Sequence, residues 1–484
     1  MEIYVIQPGD SLFLIAQRFG TTVAAIQALN QLSNPGRLVV GQAILIPPPP
    51  EPLEPLRYTV QRGDSLFAIA QLFGVTGNAI AQANNIANPN LIQAGQSLLI
   101  PGWSQVVYTV QPGDSLYMIA NRYGVSVNWL ARVNGIADPA SIYPGQVIIV
   151  PQPASERPLA EVMGYFQTAN TSGLERTLTQ YGDYLTYGVL FQYPVDAAGS
   201  ITIPATTERA VAIMRANNVR PLPSVTNYGP NGFDPDLART IMSDEAVKAR
   251  TIANILALLD RYGFAGVNID FENMHPEDRQ LYNAFVRDLA AALRPRGYPV
   301  TLAVAPKYSD QANQPWVGAF DYATLGQLAD IIFIMTYEWG WIGGPPMAVA
   351  PLNLVRRTIA YATSLIPANK IIMGVPFYGY NWPLPDTPET LATPVNLIEV
   401  YSLAYDNGAA INYNPTAQSP WFRYTDQQGR GHEVWFEDVR SLAAKYETAR
   451  EFGLRGVGYW SFLNDPYGTP QNWPVLENTF IIAK

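Results

Sequence analysis

The sequence contains no cysteine and only two histidines, His275 and His432. Disulfides, zinc clusters and cysteine nucleophiles are thereby excluded, and a Ser-His pair has almost no histidine to draw on. Charge is also scarce. Asp, Glu, Lys and Arg make up 14% of the chain, no lysine precedes Lys248, and the net charge is -9. A chain of that sign gains nothing by releasing counterions from a phosphate backbone, so nucleic acid is not an expected partner. No apolar run reaches the roughly 18 residues that a membrane span needs, so no membrane partner is expected. Met1 to Gly9 lacks a basic stretch leading into an apolar one, and no secretory signal is expected. What is present is 484 residues, 48% of them hydrophobic, enough for three or more folding units. Hydrolytic chemistry, if any, falls to carboxylates.

Three copies of one pattern fill the first third. Gly-Asp-Ser-Leu occurs at 9–12, 63–66 and 113–116. An Asn follows each first Gly by 21 residues (Asn30, Asn84, Asn134), a second Gly comes 11 later (Gly41, Gly95, Gly145), and a Pro six after that. A register held without a gap over three copies marks a repeat. Asp or Ser after the Gly suits a helix N-cap, and Leu66, Ile69, Ala70 and Phe73 follow helical spacing. Each unit therefore reads as a small α+β module, strand–helix–helix–strand, at residues 3–47, 57–101 and 107–151. Proline-rich spacers such as 47–55 predict modules held apart like beads.

The repeat resembles the LysM module, a binder of N-acetylglucosamine-containing glycans such as peptidoglycan and chitin. The resemblance implies a shallow sugar groove between the Gly-Asp-Ser-Leu turn and the loop leading to the second Gly. It makes Asp10, Ser11 and Leu12, with Leu38 to Gly41, candidate contacts, and likewise Asp64, Ser65, Leu66, Asp114, Ser115 and Leu116. The plainer reading is that these residues build a turn, a cap and a core, the leucines above all. Residues 1–151 carry seven acidic and six basic side chains, which suits an uncharged ligand. Three weak sites on one chain would hold a polymer by avidity.

From residue 159 to 484 the texture changes to β-branched runs alternating with amphipathic stretches, the pattern of βα units. Eight runs stand out, at 162–167, 187–193, 220–226, 266–272, 299–306, 331–337, 371–378 and 456–462. They predict a (β/α)8 TIM barrel, with a small strand-rich insertion at 412–437 between strands 7 and 8. The most informative run is Gly266-Val-Asn-Ile-Asp-Phe-Glu272. Strand alternation puts Asn268, Asp270 and Glu272 on one face and Val267, Ile269 and Phe271 on the other. Same-face neighbours lie roughly 6.5 Å apart, close enough for one carboxylate to raise the proton affinity of the next. Separating an acid from an anion in this way is what glycosidic cleavage needs.

This run resembles the Asp-Gly-x-Asp-x-Asp-x-Glu signature of glycoside hydrolase family 18, with Ala265 and Asn268 at the two earlier Asp positions. Met335-Thr-Tyr337 and Gly458-Tyr-Trp460 extend the resemblance along the barrel. It implies Glu272 as the acid, Asp270 orienting the substrate's 2-acetamido group as internal nucleophile, and Tyr337 bonding that group's carbonyl. Trp460 would floor the sugar site, and Asn268, Glu338, Trp339, Tyr165 and Met335 join the substrate-binding set. Asn268-Ile-Asp-Phe-Glu-Asn273, Thr336-Tyr-Glu-Trp-Gly340, Tyr378-Gly-Tyr-Asn-Trp382 and His432-Glu-Val-Trp-Phe-Glu-Asp438 resemble the spore cortex-lytic N-acetylglucosaminidases of that family. That branch implies a peptidoglycan hydrolase cutting GlcNAc–muramic acid glycan at the spore coat or cortex surface, as a monomer without metal or cofactor. A chitinase with the same machinery and an inactive glycan-binding barrel stay open as alternatives. His275 and His432 read as loop or surface residues.

Overall fold

The repeated polar residues turn out to be the joints of the modules. In each, the Asp of Gly-Asp-Ser-Leu accepts a bond from a strand tyrosine, Tyr58 to Asp64 at 2.6 Å for instance, and from the main chain three residues before it. Ser11, Ser65 and Ser115 cap the first helices, and Thr22, Thr76 and Ser126 the second. The repeated Asn ties the second helix to the closing strand. Asn84 donates to the carbonyls of Ile80 and Leu99 and accepts from the Leu99 N–H, each at 2.8 Å. Asn30 and Asn134 do the same.

The computed structural model describes residues 2–47, 54–153, 157–462 and 470–484, apart from 33, 85, 87, 89, 90, 124, 388 and 389. Most of the 47–55 spacer lies outside the described residues. The chain forms two compact units, one of residues 48–156 and one of residues 1–47 with 157–484. Neither matches separated beads. In the first unit, strand Ser97–Thr109 runs from the second module straight into the third and is the middle of one antiparallel sheet, between Glu54–Thr59 and Val147–Pro153. Val133 of the third module packs in the core of the second, and the Trp129 indole N–H donates to the Leu72 carbonyl at 3.2 Å. Trp103, within that shared strand, packs on Phe73 of the second module and Trp129 of the third, ring centroids 5.5 Å from each, a signal that counting prolines overlooks.

In the second unit the eight expected strands are present as a parallel barrel: β1 (Leu159–Gln167), β2 (Tyr187–Pro194), β3 (Arg220–Thr226), β4 (Val267–Asp270), β5 (Val300–Val304), β6 (Ile331–Ile334), β7 (Ile371–Pro376) and β8 (Gly456–Phe462). Neighbours in sequence pair in order, and β8 pairs with β1 to close the ring. The insertion is larger than the 412–437 segment expected. Its five-stranded antiparallel sheet begins at Tyr378–Leu384, directly after β7, and adds Thr393–Asn396, Asn412–Asn414, Ser419–Thr425 and Gly431–Trp435 around helix Val400–Asp406. Tyr378-Gly-Tyr-Asn-Trp382 continues the apolar texture of β7, which hides the break in sequence. His432 is no loop residue; it lies in that sheet, stacked on Tyr424 at 4.7 Å and bonded to Asn381 and Asp426. His275 stands half-buried beside β4 and bonds Asp236 at 2.8 Å.

Candidate active site

β4 is short, and everything about it aims two acids inward. Val267, Ile269 and Phe271 are fully buried on the outer face, and Phe271 stacks on Phe285 of helix Arg279–Leu293 with ring centroids 5.5 Å apart. That burial fixes the register, because a slip of one residue would send the apolar set inward. Strand pairing ends at Asp270, before the expected Glu272. The main chain of Glu272 is held instead by Asn227 at the end of β3, whose amide accepts from the Glu272 N–H and donates to its carbonyl, both at 2.9 Å.

The acids open into a cavity of about 130 Å³ at the C-terminal ends of the strands. Asp270, Glu272, Tyr337, Trp460, Tyr165, Met335 and Glu338 line it, joined by Ala303, Trp316 and Phe333. In barrels of this kind that end is where chemistry sits. Two expected contacts fall elsewhere. Asn268 is fully buried beneath the cavity, accepting from the Tyr165 hydroxyl at 3.3 Å and donating to Ser224 Oγ at 3.2 Å. Trp339 packs half-buried against the core with its main-chain N–H on the Val349 carbonyl, outside the cavity lining. Both positions follow from geometry: Asn268 is a full pleat deeper than Asp270, and Trp339 is one residue past the one that turns inward.

Burial is the first cause of the electrostatics. It pushes the Asp270 carboxyl well above the usual carboxylate range, and the neighbouring Glu272 charge adds to this, against a bond from Ser224. Asp270 is 3% exposed, and its Oδ1 has no hydrogen-bond partner. Glu272 is pushed up from 4.5 to about 7, by burial first, opposed by the Trp316 indole N–H donating to Oε2 at 3.3 Å, and raised by the Glu338 charge. Glu338 is itself raised by burial, while the hydroxyls of Tyr378 and Tyr380 both donate to its Oε1 and favour the anion. The pair thus offers a carboxylic acid that is protonated near neutral pH beside an acceptor oxygen waiting for a donor.

Trp316, Asn227, Tyr378 and Tyr380 have no role in the site expected from sequence, although Tyr378 and Tyr380 belong to a run that carries the family resemblance. Trp316 and Glu338 have φ of 68° and 65°, the left-handed region that costs a bulky residue, and Asn273 beside Glu272 has 54°. Strain of this kind gathers at functional sites. A tryptophan in the polar Gln311–Trp316 stretch, just past the end of β5, was the available signal.

The module residues behave otherwise. Leu12, Leu66 and Leu116 are buried core at 2%, 4% and 0% exposure, and the Asp and Ser positions are engaged in the turn and cap described above. Exposed aromatic side chains instead stand next in sequence, at Phe13, Phe67 and Tyr117. Among the described residues, no group of three or more His, Cys, Asp or Glu is placed to hold a metal.

The model of the family described as glycosyl hydrolases family 18 matches residues 161–465, and that of the LysM domain matches 4–47, 58–101 and 108–151. The "Cortical fragment-lytic enzyme" of Bacillus subtilis (strain 168) is 44% identical over 431 residues, covering 88% of this chain and 98% of that protein. Two solved structures align along the full chain. The Bacillus megaterium QM B1551 spore cortex-lytic enzyme SleL is 33% identical with a TM-score of 0.75, covering 100% of this chain and 98% of that one. The Bacillus cereus spore cortex-lytic enzyme SleL is 31% identical with a TM-score of 0.74, covering 100% and 99%.

Proposed function

This chain belongs to the glycosyl hydrolases family 18 and is a glycoside hydrolase carrying three LysM domains, and from that premise we propose that it cuts spore-cortex peptidoglycan on the reducing side of N-acetylglucosamine. The observation that carries the chemistry is the inward pair, Asp270 with an unpartnered oxygen and Glu272 poised near neutral pH. The substrate class rests on the similarity to the cortical fragment-lytic and spore cortex-lytic enzymes over nearly the whole chain.

Glu272 donates its proton to the glycosidic oxygen as the bond to C1 breaks. The substrate's own 2-acetamido oxygen closes on C1, so that no covalent bond to the enzyme forms. Asp270 Oδ1 accepts the acetamide N–H; burial disfavours an anion there, and the positive charge of the forming oxazolinium favours it again, so Asp270 offsets that charge as it develops. Tyr337, 5% exposed and lining the same cavity, donates to the acetamide carbonyl and aims it at C1. Trp460 and Tyr165 meet edge to face at 5.4 Å and give the sugar an apolar floor. Glu272, now a carboxylate, draws a proton from water, which opens the oxazolinium from the face the leaving group vacated. The configuration at C1 is retained. The LysM domains hold the polymer, and the enzyme acts as a monomer at the spore's cortex or coat layers, a location supported by the similarity to spore cortex-lytic enzymes.

The test is mass spectrometry of soluble products from muramidase-digested cortex, vegetative peptidoglycan and chitin oligomers, each with a Glu272→Gln control. Fragments ending in reducing N-acetylglucosamine from cortex are expected, with none from the control. Products from chitin alone would reassign the substrate, and equal activity of the control would remove Glu272 from its role.

A further inference from the structure

Gly41, Gly95 and Gly145 occupy the same position in the three LysM domains and share one backbone conformation, with φ of 85°, 88° and 86°. Their surroundings differ. A Cβ on Gly95 or Gly145 would meet open space, whereas one on Gly41 would collide with the Ile411 carbonyl of the barrel's insertion. The loop around Gly41 is engaged by main-chain bonds: the Ile411 N–H donates to the Val40 carbonyl at 2.9 Å, and Arg440 donates to the Gly41 carbonyl at 3.2 Å. Val39 is buried among Leu397, Val400, Ala404 and Phe422 of the insertion. Gln471 reaches across to the Asn30 side-chain oxygen at 2.9 Å. The first LysM domain is thus built into the catalytic unit, and one wall of its expected groove is spent on docking.

The docking creates a new concavity of about 240 Å³ between residues 30–32 and 34–42 of the first LysM domain and helix Val400–Asp406 of the insertion. We propose that this cleft is a second glycan site of the catalytic unit, taking an uncharged N-acetylated sugar of the polymer; the choice of glycan rests on the function proposed above. Its lining is amide, hydroxyl and ring: Gln31, Asn34, Gln42, Tyr401, Ser402 and Tyr405. The charged side chain among those lining it, Arg37, lies on the Tyr405 ring at 4.6 Å and is ion-paired to Asp406, so the cleft offers no net charge to an ionic ligand. Tyr401 contributes its ring to the lining, while its hydroxyl is buried behind the cleft on the side of Asp438 and Arg440. At this volume, below the roughly 300–1,000 Å³ of pockets that engulf a drug-sized ligand, the cleft takes one sugar of a longer strand. The insertion that carries it also reaches the active site, where Tyr378 and Tyr380 bond Glu338. A strand held here and in the barrel would be gripped by one rigid unit.

The test is hydrogen–deuterium exchange on the full Glu272→Gln chain with the β-1,4-linked N-acetylglucosamine tetramer. Slower exchange is expected at residues 30–42 and 397–405 as well as around β4. Ser402→Ala, which removes an exposed hydroxyl of the lining, should weaken the tetramer's protection of the cleft segments by about threefold while protection around β4 persists in the same sample. Tyr405→Ala should reduce it further. Protection around β4 alone overturns the proposal, and so does protection of the cleft by a peptidoglycan stem peptide with none by the tetramer. Failure of the parent function is separately visible as absence of product from the wild-type chain.

Discussion

The two motifs that stand out in the sequence do opposite work. Gly-Asp-Ser-Leu, repeated three times, is spent on architecture: its Asp ties a turn to a strand, its Ser caps a helix and its Leu is core. Asn268-Ile-Asp-Phe-Glu272, which occurs once, spends its apolar residues on architecture and turns its acids into a cavity where neither has a counter-ion among the described residues. In the repeat the Asp and Ser side chains of all three copies are answered. In the barrel strand one is left open, the Asp270 oxygen. An unanswered buried polar atom is destabilising, and where it faces a cavity shared with a second acid a ligand can supply the missing partner.

Breaking each motif should therefore register in different measurements. Glu272→Gln is expected to lower kcat by on the order of 10² to 10⁴ while the circular dichroism spectrum stays that of the wild type. Asn84→Ala removes three hydrogen bonds in one stroke and should lower unfolding stability of the 48–156 unit by about 2–4 kcal/mol in urea melts, with kcat on a soluble fragment unchanged. Activity loss in the second variant, or gross unfolding in the first, would erase the contrast.

The fold was legible because periodicity and repetition are local properties. Eight β-branched runs specify eight strands, and a fixed register specifies three modules. The pair Asp270 and Glu272 was legible because two acids on the inner face contradict the apolar pattern around them. What stayed hidden depends on distance along the chain. Trp316 comes 44 residues after the Glu272 it bonds, and Gln471 lies 441 residues from Asn30. The strand shared by the second and third modules was concealed by prolines that read as spacers but sit in paired strands, as Pro55 and Pro153 do. Trp339 misleads because adjacency to Glu338 in sequence does not carry through a residue with positive φ.

Smaller changes sharpen the comparison. Ser65→Ala removes one cap bond, that to the Ala68 N–H at 3.1 Å, and should cost about 1 kcal/mol in the same melts. Its effect should be independent of pH, since no titrating group is lost. Glu272→Gln should instead alter the pH dependence of stability. The folded Glu272 carboxyl lies above its ordinary value, so the folded state binds the extra proton; stability from this group is present below pH 4.5 and is lost as pH rises through about 7. Thermal melts of Glu272→Gln should accordingly equal the wild type in acid and exceed it above neutrality.

The finest test concerns what sets the acid's strength. As general acid Glu272 must start protonated, so kcat/KM should fall as pH rises through about 7. The charge on Glu338, held by the hydroxyls of Tyr378 and Tyr380, disfavours a second anion beside it. Glu338→Gln removes that repulsion and should move the alkaline limb of the profile to lower pH by a fraction of a unit. Trp316→Phe removes a donor that stabilises the Glu272 anion and should move the same limb upward. Opposite displacements from two variants in one cavity distinguish electrostatic tuning from general damage, which would lower the whole profile without moving it.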